Sequence, residues 1–594
     1  SLKPDLPNPD LQTRFMLILR PFKDIAEMLT YLKKLNKDST SGPLGVTALH
    51  ILLAGHETHE ALFLLTQAAF AGIHASQSKN GEIIPLSKSS SKFRPVALQE
   101  ISHKLVTFTV ACRLADLLFE CKLIDPNHFG FVKGGSVDTP IAILVRLFEK
   151  AQALHKHTHD GNDVHTLLVD LVSAFDNVPH ALIELKFKKM GAPPAFCHWI
   201  RNLIHKQTRF CSTAFNPGNP NDTFTLQGGV PQGCPLSPLL FVVFFDIVIS
   251  SLRDALGDTG CSLGAALIRY LLYGDDTTCC AATFRDLQTI ANILGPDCAS
   301  AGIRCNTMKS LYAAGSTPKI HHTLFLPSLD EHGIFACHPL PTVLAHPPLD
   351  KIKDPRPYSF RILGLHLQRG ASPDSDAWEI QRNINAKQLL SFSNLTNALL
   401  LSKSDMTAAI ATHLIPKTCF ASSKAIYDLD FIEEVRLACS TAMFKSVGIH
   451  ASNALSSTAA FISDKGSFAG MGTPDPLPWI LRAHLLNLLT ALNSPSESPL
   501  HCAYAFPLHY IQTHPEVTTS FPTVRNLCSI MARYGISLHF GHSSRTHQVT
   551  MVPSPKAVNM SILTNLPPSM LFRALNTKEQ IQITKQRTQQ NQPF

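Results

Sequence analysis

Tyr270-Leu271-Leu272-Tyr273-Gly274-Asp275-Asp276-Thr277-Thr278-Cys279-Cys280 is the stretch that decides how the chain folds. Apolar, β-prone residues run from Ile268 to Tyr273, and a second β-prone run begins at Thr277. Gly274-Asp275 between them has the composition of a two-residue hairpin turn. Asp275 and Asp276 then stand side by side at a hairpin tip. At ~4 Å and an effective dielectric of ~20, two like charges cost about 4 kcal/mol. A fully solvated turn tolerates this, because Gly-Asp-Asp is also ordinary turn composition. A divalent cation would offset it.

A second stretch favours the cation. Thr166-Leu167-Leu168-Val169-Asp170-Leu171-Val172-Ser173-Ala174-Phe175-Asp176 reads as a buried strand with one carboxylate, Asp170, inside it. A buried Asp needs a partner, and an ion shared with Asp275 and Asp276 would supply one. Three carboxylates from two separate strands form a donor set for two-metal phosphoryl or nucleotidyl transfer. The plainer alternative is an edge strand with Asp170 facing water.

A third stretch lies between them, Gly229-Val230-Pro231-Gln232-Gly233-Cys234-Pro235-Leu236-Ser237-Pro238. Asp170 with Ala174-Phe175-Asp176, then this Gly-rich loop, then Tyr273-Gly274-Asp275-Asp276 resembles motifs A, B and C of reverse transcriptases. The wording is closest to the LINE-type (non-LTR) retrotransposon and group II intron branch. The resemblance implies an α/β (α+β) right-hand polymerase fold, with fingers, a palm whose antiparallel sheet carries the catalytic Asp residues, and a helical thumb. It implies RNA-directed DNA polymerisation with two Mg²⁺ ions, or Mn²⁺, held by Asp170, Leu171, Asp275 and Asp276.

The same resemblance implies further roles by position. Lys88 and Arg94, on two fingers strands, would hold the incoming triphosphate. Arg94 precedes Pro95 and so sits in extended backbone, from which its guanidinium can fork onto phosphate oxygens. Phe175 would be a steric gate against a 2′-hydroxyl, and Gln232 and Gly233 would face the nucleotide and template base. His128-Phe129-Gly130-Phe131-Val132-Lys133-Gly134-Gly135-Ser136 resembles the family's template-contacting element, which points to Lys133 and Gly134. Ala301-Gly302-Ile303-Arg304-Cys305-Asn306-Thr307-Met308-Lys309-Ser310 resembles motif D, with Lys309 placed to assist the leaving pyrophosphate. Phe360 to Leu367, read as one strand around Gly364, resembles motif E, the primer grip. Gly-Asp-Asp also marks RNA-dependent RNA polymerases, but Pro-Gln-Gly-Cys-Pro-Leu-Ser-Pro is reverse-transcriptase wording. A non-catalytic scaffold of the same fold would be free to lose the three Asp residues, which are intact.

Composition is consistent with this and decides little alone. The chain has 594 residues, 45% hydrophobic and 16% charged, with a net charge of +8. A modest basic excess suits nucleic-acid binding. The longest apolar run, Leu239 to Phe245, ends at Asp246, too short to span a membrane. The 15 cysteines include no CxxC pair, so neither a zinc knuckle nor a disulfide framework is signalled. The expected partners are an RNA template, a DNA or RNA primer and dNTPs, with no membrane. Other parts of a polyprotein or ribonucleoprotein are further candidates, in an intracellular setting, nuclear or organellar.

The expected organisation is a lead-in over 1–40, fingers with part of the palm over 41–165, and palm over 166–367 with a Pro- and His-rich insertion at 316–358. A helical thumb follows over 368–450, and 451–594 matches no known element. Helices are expected at Ile25–Leu35, Ile101–Phe119, Ala181–Met190 and Ala195–Lys206. Pro238–Leu252 should be a buried helix with Ser237 as its N-cap. Further helices are expected near Trp378–Leu400, Asp405–Leu414 and Phe431–Val447.

Overall fold

In the computed structural model the described residues are 9–35, 40–73, 80–89, 92–155, 163–205, 207–212, 223–313, 322–330, 332–343, 360–367, 376–398, 401–422, 429–448, 473–492 and 497–513, with a few isolated positions. The strands that matter are, in chain order, β1 (Asn80–Ser89), β2 (Lys92–Leu98), β3 (His165–Val169), β4 (Thr208–Cys211), β5 (Phe224–Thr225), β6 (Cys261–Leu263), β7 (Ala266–Ile268), β8 (Tyr270–Tyr273), β9 (Asp276–Ala281), β10 (Leu311–Ala313), β11 (Phe325–Leu329), β12 (Phe335–Pro339), β13 (Thr342–Val343), β14 (Phe360–Ile362) and β15 (Leu365–Leu367).

Five of them form the central sheet, in the order β13-β10-β3-β9-β8. Side chains on a strand alternate between faces, and here both faces are covered. Leu167, Val169, Tyr270, Leu272, Cys279 and Ala281 enter one core, with the helices Ile101–Glu120, His180–Lys189, Pro194–Ile204, Ser237–Leu256 and Phe284–Ser300. Leu168, Leu271 and Cys280 join the other, with the helices Asp138–His155, Leu429–Ser446, Pro476–Leu492 and Pro499–Thr513. Two-sided burial is why both strands read as continuous apolar runs rather than alternating ones.

A second sheet, β2-β1-β4-β5, pairs β1 with β2 antiparallel and β1 with β4 parallel. β4 pairs antiparallel with β5, Thr208 opposite Thr225 and Arg209 opposite Phe224. The helix Ser237–Leu256 is buried along most of its length, Asp246 included. Its expected N-cap is corrected: Leu236 is the cap residue, already with helical φ and ψ, and no side chain caps the helix. The Ser237 amide already bonds the Cys234 carbonyl at 3.2 Å, so the chain turns before Ser237 and leaves it one step inside.

Other expectations also shift. The lead-in contains a helix, Pro9–Ile18, whose Phe15 is fully buried against Phe187 and Phe196. Within the expected insertion, β11 and β12 form a hairpin, with Leu324 and Leu326 buried in the helical core. Residues 314–321 and 344–359 lie outside the described residues. The expected single strand at Phe360–Leu367 is a hairpin instead. Leu363 and Gly364, at φ 47° and 88°, make its two-residue turn, the positive-φ pair of a type I′ turn. The expected helix near Asp405–Leu414 is Lys403–Ala409 continuing into a π-helical turn, Ile410–Leu414. Pro416 follows and cannot donate to the carbonyl four residues back. Of 451–594, the helices Pro476–Leu492 and Pro499–Thr513 are described; most of the remainder is not.

Candidate active site

The hairpin tip forms as its composition implies. Tyr273 pairs with Asp276, leaving Gly274-Asp275 as the turn. Gly274 has φ +64° and Asp275 is not in the positive-φ region, the pattern of a type II′ turn with Gly first. A Cβ on Gly274 would stand 2.7 Å from the Phe131 ring, so the position needs glycine for space as well as for conformation.

The sheet then brings the two carboxylate segments together. β3 and β9 pair antiparallel up to Val169 opposite Thr277. The next residues along the two chains are Asp170 and Asp276, so they face each other beyond the last ladder pair, on strands ~4.8 Å apart. Asp275 follows in the turn. Asp275 and Asp276 are exposed and the Asp170 side chain is 38% exposed. Asp170 thus lies just past the strand end and not in its buried interior, as the sequence had suggested.

Asp170 also has protein partners. Its Oδ2 accepts hydrogen bonds from Asn306 Nδ2 at 3.0 Å and Lys309 Nζ at 3.3 Å. The backbone is held too: Asn306 N donates to the Asp170 carbonyl at 2.7 Å, and Asp170 N donates to Ser310 Oγ at 3.0 Å. Leu171, buried, bridges to Cys305. The motif D stretch therefore wraps Asp170, and Lys309 lies on that carboxylate. Among the described residues no three His, Cys, Asp or Glu side chains are gathered as a ready ion cage. The lysine ammonium supplies the neighbouring positive charge as the chain stands. Hard carboxylate oxygens, two of the three groups solvent-facing, are a donor set that fits Mg²⁺ or Mn²⁺.

After Leu171 the chain bends as its small residues suggest. Ser173 takes φ 46°, and its carbonyl accepts from Asp176 N and Asn177 N. The bend sets Phe175, half-buried, stacked on Phe241 with centroids 5.0 Å apart and edge-on to Phe131 at 6.5 Å. Motif B closes over it. Val230 N donates to the Phe175 carbonyl at 2.8 Å, and a Cβ on Gly229 would lie 2.6 Å from the Asp176 carbonyl oxygen. Burial pushes the Asp176 carboxyl up, and Gln232 Nε2, 3.5 Å away, opposes that.

The same loop meets the second sheet. Ala97 N donates to the Gln232 carbonyl at 2.6 Å, and a Cβ on Gly233, at φ +110°, would stand 2.4 Å from the Ala97 carbonyl oxygen. Arg94, exposed, lies three residues back along β2, paired with Leu86. Lys88 sits at the irregularity between Ser87 and Ser89; its side chain lies outside the described residues. Asp170, Asp275, Asp276, Lys309, Phe175 and Gln232 are thereby linked through one connected set of elements. Lys133 instead pairs with Asp116 at 2.7 Å, both exposed, beside Gly134 at φ +73°. Gly364 lies on the separate β14–β15 hairpin. The sequence reading missed Asn306 as a partner of Asp170, and Gly130, whose Cβ would lie 2.5 Å from Gly274 N. Both lay inside quoted motifs, but their contacts are long-range.

Residues 84–367 match the family described as reverse transcriptase (RNA-dependent DNA polymerase). This stretch is a reverse transcriptase domain. Its relatives bear out the retrotransposon resemblance. The chain is 26% identical over 224 residues to the retrovirus-related Pol polyprotein from type-2 retrotransposable element R2DM of Drosophila melanogaster, covering 37% of this chain and 20% of that one. It is 25% identical over 228 residues to the probable RNA-directed DNA polymerase from transposon BS of the same organism, covering 38% and 24%. The match thus spans about a quarter or less of these relatives. A solved telomerase from Candida tropicalis aligns at 12% identity and TM-score 0.33, over 42% of this chain and 52% of that one. Reverse transcriptases generally use divalent metals, which agrees with the donor set at the hairpin.

Proposed function

We propose that the chain is an RNA-directed DNA polymerase that extends a primer on an RNA template, of the non-LTR retrotransposon kind. The observation that carries this reading is the register of β3 on β9, which puts Asp170 across from Asp276 at the end of a ladder. Asp170, Asp275 and Asp276, with the backbone at Leu171, would hold two Mg²⁺ ions, or Mn²⁺. When bound, these lower the pKa of the primer 3′-hydroxyl and neutralise the triphosphate.

The chain's own residues do the rest. Asn306 and Ser310 fix Asp170, and Lys309 is close enough to meet charge released at the leaving pyrophosphate. Arg94 and Lys88 grip the triphosphate, and Gln232 and Gly233 seat the nucleotide against the template base. Phe175, its ring steadied by Phe241, crowds C2′ and selects deoxynucleotides. Lys133 and Gly134 lie along the template path, and Gly364 along the primer path. The duplex is gripped by backbone and shape rather than base edges. On this reading 41–165 serve as fingers, 166–367 as palm and 368–450 as thumb, and the protein works in the nucleus within a larger polyprotein or ribonucleoprotein.

Purified protein given a primed RNA template, dNTPs and Mg²⁺ should extend the primer, with binding that weakens steeply with salt. Extension with rNTPs as readily as with dNTPs would overturn the assignment in favour of an RNA polymerase.

A further inference from the structure

Behind the hairpin lies a buried group of charges that touches none of the reacting atoms. Asp125, His128 and Asp246 are 2%, 3% and 2% exposed. Lys186 Nζ stands 2.6 Å from Asp246 Oδ2, and His128 Nε2 stands 3.6 Å from Asp246 Oδ1. Asp246 Oδ1 also accepts a hydrogen bond from Asp125 N at 2.8 Å. The Asp125 carboxylate accepts from Asn127 N at 2.9 Å, from the Tyr270 hydroxyl at 2.7 Å and from Arg253 at 3.0 Å. Burying ions in this way is costly, and apolar replacements are often as stable. Stability alone gives no reason for the arrangement.

What the group holds supplies one. Tyr270 begins β8, and Asp125 grips it by its hydroxyl. Two residues on, Leu272 donates to the Asn127 carbonyl at 3.0 Å and accepts from Phe129 N at 2.8 Å. Two residues further, Gly130 and Phe131 press on Gly274. The segment 125–131 thus holds β8 at positions 270 and 272, which share one orientation in the pleat, and packs on the turn residue Gly274, after which comes Asp275.

We infer that Asp125 and Asp246 are positioning residues for Asp275 and Asp276: they fix segment 125–131, which fixes the strand that delivers the two carboxylates. The inference rests on the polymerase reading of the site. Replacing an outer partner that orients metal ligands typically costs 10–100-fold in metal affinity or activity.

The test uses the full chain, with Mn²⁺ as the probe. Free Mn²⁺ is measured by electron paramagnetic resonance alongside steady-state primer extension and thermal melting, in wild type, Asp246→Asn, Tyr270→Phe and Asp275→Asn. Asp246→Asn should lower kcat and raise the Mn²⁺ half-saturation concentration by about tenfold or more each, with KM for dNTP within about twofold. Tyr270→Phe, which removes one hydroxyl and no charge, should move both in the same direction by less. The inference is overturned if both variants keep wild-type kcat and Mn²⁺ affinity per folded molecule, whatever their melting temperatures. If Asp246→Asn does not fold, Tyr270→Phe decides by the same readings. Asp275→Asn separates the two levels. Loss of Mn²⁺ binding there, without change in the other variants, removes only the positioning role. Retained extension in Asp275→Asn removes the polymerase reading itself.

Discussion

Phe175→Val separates a sugar gate from a core residue. The Phe175 ring stacks on Phe241 at 5.0 Å and 15°, meets Phe131 edge-on at 6.5 Å and 88°, and stays partly exposed. Each aromatic contact adds about 0.5–1.5 kcal/mol beyond burial. A fully buried Phe truncated to Ala costs about 3–5 kcal/mol. With half burial and Val retaining two methyls, the loss should be about 1–2 kcal/mol. The selectivity effect should be larger. A pocket that rejects a hydroxyl by crowding alone discriminates by roughly 10²-fold, so Phe175→Val should raise kcat/KM for rNTPs relative to dNTPs by about that factor. Single-nucleotide insertion on a primed RNA template, with melting measured in parallel, reads both quantities. A drop in stability with an unchanged dNTP/rNTP ratio would refute the gate and leave Phe175 as packing against Phe241.

Other expectations follow from the same geometry. Gly274→Ala places a Cβ 2.7 Å from the Phe131 ring at φ +64°. It should cut kcat by at least about tenfold, since strain at a special backbone conformation costs on the order of 1–3 kcal/mol; wild-type kcat would mean that the turn tolerates a different shape. Arg94→Ala should raise KM for all four dNTPs alike, and a base-specific change in insertion kinetics would assign Arg94 another role. Burial holds the imidazoles of His128, His180 and His366 below their ordinary value. The unfolded chain therefore takes up protons near pH 6.5 that the fold refuses, so stability is full above that pH and falls as pH drops below it. Each such group contributes up to about 1.4 kcal/mol per pH unit. His128→Gln should flatten the dependence of denaturation midpoint on pH between 7.5 and 5.5, and an unchanged slope would mean that His128 protonates within the fold.

Local features were the ones legible in the sequence. Gly274-Asp275 specifies its turn with two residues, and a helix buried along most of its length, Ser237–Leu256, shows itself by being apolar nearly all round from Pro238 to Leu252. That Asp170 would meet Asp275 and Asp276 was expected from the carboxylates themselves, but the register of β3 on β9 was not legible, because strands buried on both faces carry no alternation to fix their pairing. What escaped was long-range or unusual. Asp246 read only as the end of an apolar run, because its partners Lys186 and Asp125 come from distant segments. For Asp170 the sequence offered a shared metal or a water-facing edge strand and no protein partner, because nothing near it in sequence announces Asn306 and Lys309. The β14–β15 hairpin was read as one strand because its turn uses Leu363 at positive φ, a conformation unfavourable for a residue of that kind. The β11–β12 hairpin gave no period because β12 is largely exposed on both faces.

The central claim is that Asp275 and Asp276, facing Asp170, carry out metal-dependent nucleotidyl transfer. Primer extension by Asp275→Asn on an RNA template, in Mg²⁺ and beside a binding titration of the same primer–template, tests it most directly. Extension should fall below detection while affinity for the primer–template and the melting temperature stay near wild type. Extension at a wild-type rate would contradict the account.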